Sequence, residues 1–277
     1  TNGGGAPLAP RPPTANAIIE IQDLVAHYGS RRILDGVSFK VPEGQVTVIL
    51  GGSGSGKSTL LRHLIGLERP SAGQILIKGR DITKLSDGEL VEIRKRMGIL
   101  FQSGALFNSM TVGENVALPL LEHTQLEPST IQIMTRIKLQ LVGLAGFEDF
   151  MPAQLSGGMR KRAGLARAIA MDPEILFFDE PSAGLDPVTA AALDELILRL
   201  KHTFRMTILV VTHELPSLFG IADHVVMLMT GKVLVEGGLN DLRASSDPRV
   251  QDFLARRPAP EHENAEAYLQ SLVGTQP

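Results

Sequence analysis

Apolar and polar positions change their spacing along the chain, and each spacing predicts a type of element. Over about residues 18–48, short β-favouring runs alternate with turn signals, which is typical of a small antiparallel sheet. Continuous apolar runs at residues 46–50, 175–178 and 207–211 are typical of strands buried in a parallel sheet. Further strands are predicted at residues 74–77, 97–101, 225–229 and 232–236.

A helical period replaces these patterns between about residues 112 and 167. Apolar residues recur there at helical spacing, namely Ile133, Ile137, Leu141 and Leu144. Another helix is predicted at about residues 187–200. Because strands alternate with helices, we expect an α/β fold with a mostly parallel sheet covered by helices. The block at 112–167 is then a helical insertion into that fold.

A glycine-rich turn joins the apolar run at 46–50 to an amphipathic helix. The turn and the start of the helix read Gly51, Gly52, Ser53, Gly54, Ser55, Gly56, Lys57, Ser58 and Thr59. Glycines let backbone N–H groups point inward at an anion, and the helix N-terminus adds its positive end. Lys57 then reaches the β- and γ-phosphates of a nucleotide, and the Ser58 hydroxyl holds Mg²⁺. We therefore interpret residues 51–59 as a phosphate loop rather than an ordinary turn.

Two acids follow the apolar run at residues 175–178. Ligands of such sheets bind outside the carboxyl ends of the strands. We therefore expect Asp179 to hold Mg²⁺, and Glu180 to orient and deprotonate the water that attacks the γ-phosphate. His213 follows the next strand, where an imidazole can bond the γ-phosphate and position Glu180. The alternative for the two acids is a solvated turn.

The composition narrows the range of partners. The 277 residues are 43% hydrophobic, enough for one large domain or a core domain with a small insertion. A net charge of −3 and an aromatic content of 4% without tryptophan argue against nucleic acid. The lack of cysteine excludes disulfides and thiolate metal sites and fits a cytosolic protein. No apolar run has the length of a membrane span, and residues 1–16 are predicted to be a disordered lead-in.

A second helix start carries a Ser-Gly-Gly sequence. Ser156, Gly157 and Gly158 open a helix whose first turns are basic at residues 160–162. A serine followed by two glycines at a helix N-terminus is a further anion-binding end. Taken alone, these residues also fit an ordinary N-cap, and the basic run fits a solvated helix face.

Together these segments resemble the ATP-binding-cassette (ABC) family, in order and through nearly the whole chain. Tyr28 matches the aromatic residue that stacks on adenine, residues 51–59 the Walker A loop, and Gln102 the Q-loop. Residues 155–159 match the signature, Asp179 and Glu180 Walker B, residues 182–186 the D-loop, and His213 the switch histidine. Met159 stands where many members have Gln. The resemblance implies a P-loop NTPase (RecA-like) core with an N-terminal antiparallel β subdomain and a helical insertion.

The resemblance also implies a role for each matched residue. ATP and Mg²⁺ are the expected cofactors. Catalysis is expected from Glu180, His213, Gln102 and Lys57. The nucleotide is expected to bind Tyr28, residues 51–59, Ser156, Gly157 and Gly158, and Mg²⁺ to bind Ser58, Gln102 and Asp179. Two copies are expected to pair head to tail on ATP, so that Ser156 and Gly158 of one copy face the γ-phosphate held by Lys57 of the other.

The same resemblance divides the chain into segments. Residues 17–257 are expected to form the ABC ATPase domain, with a helical subdomain at about residues 103–168. Residues 258–277 form a C-terminal tail in which Tyr268, Leu269, Leu272 and Val273 share a face at helical spacing. This tail is either a segment that docks on a partner or a disordered end.

Shorter segments resemble the Mla-type ATPases that traffic phospholipid with MCE-domain proteins in bacteria with two membranes. They are residues 102–107, the pair Met159-Arg160 and residues 246–254. The resemblance implies phospholipid transport that maintains outer-membrane lipid asymmetry. It implies a peripheral subunit on the cytoplasmic face of the inner membrane, which contacts the membrane only through a permease. An MCE-domain protein and a STAS-domain regulatory subunit are the other expected partners, and no nucleic acid is expected.

Two other functions remain open. An importer ATPase that serves a solute-binding protein shares every catalytic residue. A non-transport ABC ATPase would act on DNA, ribosomes or cofactor-assembly proteins, but this sequence has neither the long coiled coil of the DNA-repair members nor a second cassette. Leu106 and Phe107 also allow two interpretations, packing inside the insertion or lining the groove that receives a coupling helix of the permease.

Overall fold

The computed structural model describes residues 16–257, which fold into two sheets with helices packed around them. The strands are β1 (Ala17–Tyr28), β2 (Arg31–Pro42), β3 (Val46–Leu50), β4 (Ala72–Ile77), β5 (Arg80–Asp81), β6 (Met97–Leu100), β7 (Ile175–Asp179), β8 (Thr207–Thr212), β9 (His224–Met229) and β10 (Lys232–Gly237). The helices are α1 (Lys57–Leu64), α2 (Asp87–Arg94), α3 (Val112–His123), α4 (Pro128–Leu141), α5 (Gly157–Ala168), α6 (Pro187–Phe204), α7 (Leu215–Ile221), α8 (Leu239–Ala244) and α9 (Pro248–Leu254). The predicted lead-in, apart from Asn16, and the predicted tail lie outside the described residues.

The first sheet is antiparallel, with strand order β2-β1-β4-β5. Strands β1 and β2 form a hairpin in which Tyr28 pairs with Arg31 beside the turn. Along β2, buried and exposed side chains alternate, because successive side chains of a strand point to opposite faces. The inward face packs with the second sheet and α1 in a core that includes Leu34, Ile49 and Leu60. The predicted antiparallel sheet ahead of the phosphate loop is confirmed.

The second sheet has the order β10-β9-β3-β8-β7-β6, and it is parallel except for β10. Every residue of β3 and β8 is buried, which accounts for their continuous apolar sequences. The register pairs Leu50 of β3 with Thr212 of β8, and Val211 of β8 with Asp179 of β7. The carboxyl ends of these strands therefore meet at one edge of the sheet, as the mostly parallel fold predicts.

Helices α3, α4 and α5 lie between β6 and β7 in the chain and pack on one another. Helix α3 begins at a capping box, in which the Glu114 N–H donates to Thr111 Oγ1 and the Thr111 N–H donates to Glu114 Oε2. Among the helices of residues 16–257, none is long and apolar enough to cross a membrane.

Helix α4 is present as predicted, but the repeated isoleucines do not mark its buried face. Ile133 and Ile137 are 58% and 50% exposed, whereas Leu139 and Lys138 are buried. The Lys138 ammonium pairs with Asp172, which follows α5. The buried face of α4 therefore includes Lys138 and Leu139, and the two isoleucines lie outside it.

Of the two interpretations given for Leu106 and Phe107, packing inside the molecule applies to Leu106 and an exposed surface applies to Phe107. Leu106 packs against the core of the molecule, so packing accounts for it. The Phe107 ring is exposed and lies 5.9 Å from the Arg167 guanidinium. Only Phe107 therefore offers surface to another molecule.

Candidate active site

The phosphate loop follows β3, and at two of its glycines the neighbouring atoms leave no room for a side chain. A Cβ on Gly51 would lie 2.2 Å from the Leu228 carbonyl oxygen of the adjacent strand β9. Gly56 has φ +102°, and a Cβ there would lie 2.8 Å from Leu34 Cδ2. These two glycines let the loop close against β9 and the hairpin, which brings its backbone to the start of α1.

The Lys57 side chain is buried at the first position of α1. Its Nζ donates to the carbonyl oxygens of Gly51 at 2.7 Å and Gly52 at 3.0 Å, and it lies 3.7 Å from Glu180 Oε1. Burial lowers the pKa of Lys57, and the charges of Glu180 and Asp179 oppose that shift. The ammonium thus lies where the loop meets the two acids.

Asp179 ends β7, and Glu180 follows it with a left-handed backbone conformation, φ +47°. The Glu180 N–H donates to the Val211 carbonyl at 2.8 Å, so its backbone is fixed to β8. Within the part of the chain that the structure describes, Asp179 Oδ1 is buried without a hydrogen-bond partner. Burial raises the pKa of Asp179, and the Glu180 carboxylate adds to the shift. Such an oxygen is costly unless a donor or a cation compensates it, so it fits a cation ligand.

His213 follows β8 and contacts the same carboxylate as Lys57. Its Nδ1 lies 2.9 Å from Glu180 Oε2, while Lys57 lies near the other oxygen. Glu180 is largely buried between the imidazole and the ammonium. The geometry therefore differs from that of acids on a solvated turn, and it joins three of the predicted catalytic residues.

Gln102 and Tyr28 lie outside this contact network. Gln102 follows β6, the neighbour of β7, and is exposed; across residues 16–257 no hydrogen bond joins its side chain to either acid. Tyr28 ends β1 and is 82% exposed, so its ring is open to stacking.

The hairpin turn contributes a residue that the sequence motifs do not indicate. Arg31 and Ile33 line a cavity of about 260 Å³ together with residues 54–59. A guanidinium beside a phosphate loop suits an anionic ligand. Its place shortly after Tyr28, within the predicted antiparallel sheet, is the one sequence signal that could have indicated it.

Ser156 forms the N-cap of α5, where its Oγ accepts a hydrogen bond from the Met159 N–H at 3.2 Å. A Cβ on Gly158 would lie 2.7 Å from Thr189 Cγ2 at the start of α6, so this glycine allows the two helix starts to pack closely. In the described residues, no hydrogen bond or ion pair connects Ser156, Gly157 or Gly158 with the phosphate loop. Within one chain, the Ser-Gly-Gly sequence acts as an N-cap.

Sequence reasoning also missed Lys161. The basic run of α5 fits a solvated face by composition, but that interpretation is wrong for Lys161, which is buried. Its Nζ donates to the carbonyl oxygens of Pro181 and Ala183, which follow Glu180. The lysine lies two positions beyond Met159 in a basic run, and nothing in that pattern separates a buried lysine from a solvated one.

The comparison with protein families agrees with this geometry. Residues 34–183, which include the phosphate loop, the Ser-Gly-Gly sequence and both acids, match the family described as ABC transporter. The chain belongs to the ABC transporter family. As an ABC ATPase subunit, it binds and hydrolyses ATP.

Two kinds of curated ABC relative match over most of this chain. It is 45% identical over 237 residues to the intermembrane phospholipid transport system ATP-binding protein MlaF of Escherichia coli (strain K12), with 86% of this chain and 88% of MlaF covered. It is 47% identical over 239 residues to the "Probable ribonucleotide transport ATP-binding protein mkl" of Mycobacterium leprae, with 86% of this chain and 69% of mkl covered.

Solved ABC cassettes share the fold. A dimeric ATP-binding cassette in a post-hydrolysis state, bound to ADP and Pi, gives a TM-score of 0.74 at 30% identity, with 80% of this chain and 98% of that chain covered. The cassette cbiO1 of Clostridium perfringens, part of the ABC transporter complex cbiONQ, gives 0.76 at 27% identity, with 92% and 99% covered. The predicted ABC ATPase fold is confirmed.

Proposed function

We propose that this chain is the ATPase subunit of a transporter that moves phospholipid between the two membranes of a bacterium and so maintains outer-membrane lipid asymmetry. The observation that carries the proposal is the match to MlaF relatives, which covers 88–90% of their length. Identity alone does not separate MlaF from mkl, since the values are 45% and 47%. The mkl match, however, covers 67–69% of those longer chains.

The residues around Glu180 support a hydrolysis mechanism for this ABC ATPase. The phosphate loop and Lys57 bind the β- and γ-phosphates, and Tyr28 stacks on the adenine. Glu180 orients a water and accepts its proton as the water attacks the γ-phosphate. His213, 2.9 Å from Glu180, holds the carboxylate and bonds the γ-phosphate, and Gln102 joins the site from the loop after β6.

The donor set also supports a Mg²⁺ site that the nucleotide completes. The described residues hold no group of three or more His, Asp or Glu side chains that would bind a metal ion by themselves. Magnesium is commonly held by one or two carboxylates together with substrate phosphates. Asp179, Ser58 and Gln102 would hold the ion, and the unpartnered Asp179 Oδ1 fits this role. When bound, Mg²⁺ neutralises charge on the β- and γ-phosphate oxygens.

A second copy of the chain would complete the site. Ser156, Gly157 and Gly158 form an anion-binding helix end that makes no contact with the phosphate loop of its own chain. In a head-to-tail dimer this end would face the γ-phosphate on the Lys57 of the partner copy. A similar cassette is described as dimeric with ADP and Pi, which supports the arrangement.

The proposed complex places this subunit on the cytoplasmic face of the inner membrane. Its partners are an integral permease, an MCE-domain protein and a STAS-domain regulatory subunit. ATP-driven closure of two copies would move the segment α3–α5 against the permease. Residues 102–107 precede α3 in the chain, and the exposed ring of Phe107 offers the permease an apolar contact.

A pull-down of this chain from detergent-solubilised native membranes tests the proposal. The tagged full chain is purified and its partners are identified by mass spectrometry. We expect a multi-span permease, an MCE-domain protein and a small STAS-domain protein. A solute-binding protein beside the permease would replace phospholipid transport with solute import, and recovery without any membrane protein would contradict a transport role.

A further inference from the structure

Helix α5 carries a buried lysine whose contacts lie directly beside the proposed catalytic acid. Lys161 is 6% exposed, and its Nζ donates to the carbonyl oxygens of Pro181 at 2.5 Å and Ala183 at 2.6 Å. Pro181 is the residue after Glu180, and Ala183 lies in the same turn, residues 181–184, which leads to α6. Helix α5, which begins with the signature residues, is thus hydrogen-bonded to the backbone just after Glu180.

Removing the Lys161 ammonium from water costs free energy, and its hydrogen bonds to the two carbonyl oxygens offset that cost. Burial lowers the pKa of Lys161, and the charge of Glu180 opposes that shift. An apolar side chain would fill the same space without the desolvation of a charge. The two carbonyl groups, and not the volume of the side chain, therefore account for a lysine at this position.

The backbone at Glu180 needs such an anchor. Glu180 has φ +47°, a conformation that costs free energy for a residue with a Cβ and persists only where its surroundings fix it. The Glu180 N–H is held by Val211, and the Ala183 N–H donates back to the Glu180 carbonyl at 3.2 Å. Lys161 fixes the other side of this turn through the carbonyls of Pro181 and Ala183.

We propose that Lys161 is a positioning residue for ATP hydrolysis, which fixes residues 180–183 to the signature helix and so aims Glu180 at the γ-phosphate. The proposal rests on the role of Glu180 as the general base. Ser156 lies on the same helix five positions earlier. A nucleotide held by the partner copy would contact Ser156 at the start of α5. Its binding would therefore affect the position of Glu180 in this chain through α5 and Lys161.

The test compares Lys161→Met with Lys138→Met in the full chain. Lys138 is a matched control because it is also a buried lysine, but it pairs with Asp172 and has no contact with residues 180–183. Thermal unfolding, the KM for ATP and kcat are measured for both variants. We expect Lys161→Met to lower kcat by roughly 10–100-fold, as expected for a misplaced catalytic group, with an unchanged KM. Lys138→Met should retain both values.

Lys161→Gln separates positioning from general structural damage. The glutamine amide can donate to these carbonyls without a charge, but its side chain is shorter and reaches one of them more readily than both. We expect a kcat between those of the wild type and Lys161→Met. If Lys161→Met does not fold, a lower kcat at unchanged KM in Lys161→Gln carries the same prediction.

Two results would overturn the role of Lys161. One is a kcat in Lys161→Met equal to that in Lys138→Met, and the other is a change in KM alone. Glu180→Gln, assayed in parallel, separates this failure from that of the proposed mechanism. If Glu180→Gln hydrolyses ATP at the full rate, the assignment of the base fails; if it is inactive while Lys161→Met is fully active, only the positioning role fails.

Discussion

Glu180 is the residue on which the proposed hydrolysis depends, and its neighbours determine where its carboxylate lies. Lys57 Nζ is 3.7 Å from one carboxylate oxygen, and His213 Nδ1 is 2.9 Å from the other. The backbone is held by the Val211 carbonyl. Glu180 Oε2 is buried without a hydrogen-bond partner among the described residues, which leaves it available to accept a hydrogen bond from a bound water.

The first prediction concerns this carboxylate. Glu180→Gln keeps the size of the side chain but removes its ability to accept a proton. We expect turnover to fall by about 10²–10⁴-fold, while ATP still binds. Steady-state hydrolysis and equilibrium ATP binding measure the two effects. Glu174→Gln is the control, since Glu174 pairs with Lys78 and Arg96 on the surface before β7 and should leave turnover unchanged.

At the scale of elements, the phosphate loop depends on close packing between the end of β3 and its neighbour β9. Gly51 lies against the Leu228 carbonyl of β9, whereas the adjacent Gly52 has open space around its missing Cβ. The same substitution at two successive positions therefore meets a backbone oxygen in one case and no atom in the other.

The second prediction uses this pair. Gly51→Ala should lower the free energy of unfolding by about 1–3 kcal/mol, because either β9 or the loop must move. Gly52→Ala should change it by no more than about 0.5 kcal/mol. Chemical denaturation of both variants without nucleotide measures the difference. Equal stabilities would show that the loop does not pack against β9 in this way.

Helices α6 and α7 enclose a partly buried acid that gives a third, pH-dependent prediction. Asp194 of α6 lines a cavity of about 430 Å³ with Ser182 and Ser217. Burial raises the pKa of Asp194, and its Oδ1 has no hydrogen-bond partner among the described residues. Because the folded pKa lies above the unfolded value, ionisation of Asp194 destabilises the fold as the pH rises above about 3.9, the usual value for Asp.

Asp194→Asn mimics the protonated acid and should remove this cost. We expect the variant to melt at a higher temperature than the wild type at pH 7, and the difference to decrease as the pH falls towards 3.9 or so. Thermal unfolding between these pH values measures it. A difference that stays constant across the range would show that the charge of Asp194 is not responsible.

At the scale of the whole molecule, local patterns predicted the two sheets, the helical segment and the order of the motifs. The strands β3 and β8 are predictable because all their side chains are buried, which leaves a continuous apolar sequence. The acids and His213 are predictable because parallel strands end at one edge. Such signals are local, and they need no knowledge of distant contacts.

Contacts between distant segments could not be predicted in the same way. Lys161 is buried because the carbonyls of Pro181 and Ala183 lie opposite it, and no pattern within α5 shows this. Ile133 has the spacing of a buried residue but is exposed, whereas Lys138 of the same helix is buried and pairs with Asp172. Tertiary partners decide both outcomes.

At this scale, two helix starts are proposed to bind phosphate, and no hydrogen bond or ion pair joins them in the described residues. Lys57 begins α1, and Gly157 begins α5 behind its N-cap. The proposed head-to-tail pair would place the start of α1 in each copy opposite the start of α5 in its partner. Under this proposal, every complete ATP site needs Lys57 from one copy and the Ser-Gly-Gly sequence from the other.

Mixing two inactive variants tests this central claim most directly. Lys57→Met removes the ammonium that is proposed to bind phosphate. Gly157→Asp places a negative charge where the partner's γ-phosphate would lie, at a position where a Cβ has no atom of residues 16–257 within 4 Å. Each variant alone should be inactive. In a mixed pair, one site carries both changes and the other carries neither, so the mixture should regain ATP hydrolysis. A mixture as inactive as its two components would contradict an ATP site shared between two copies.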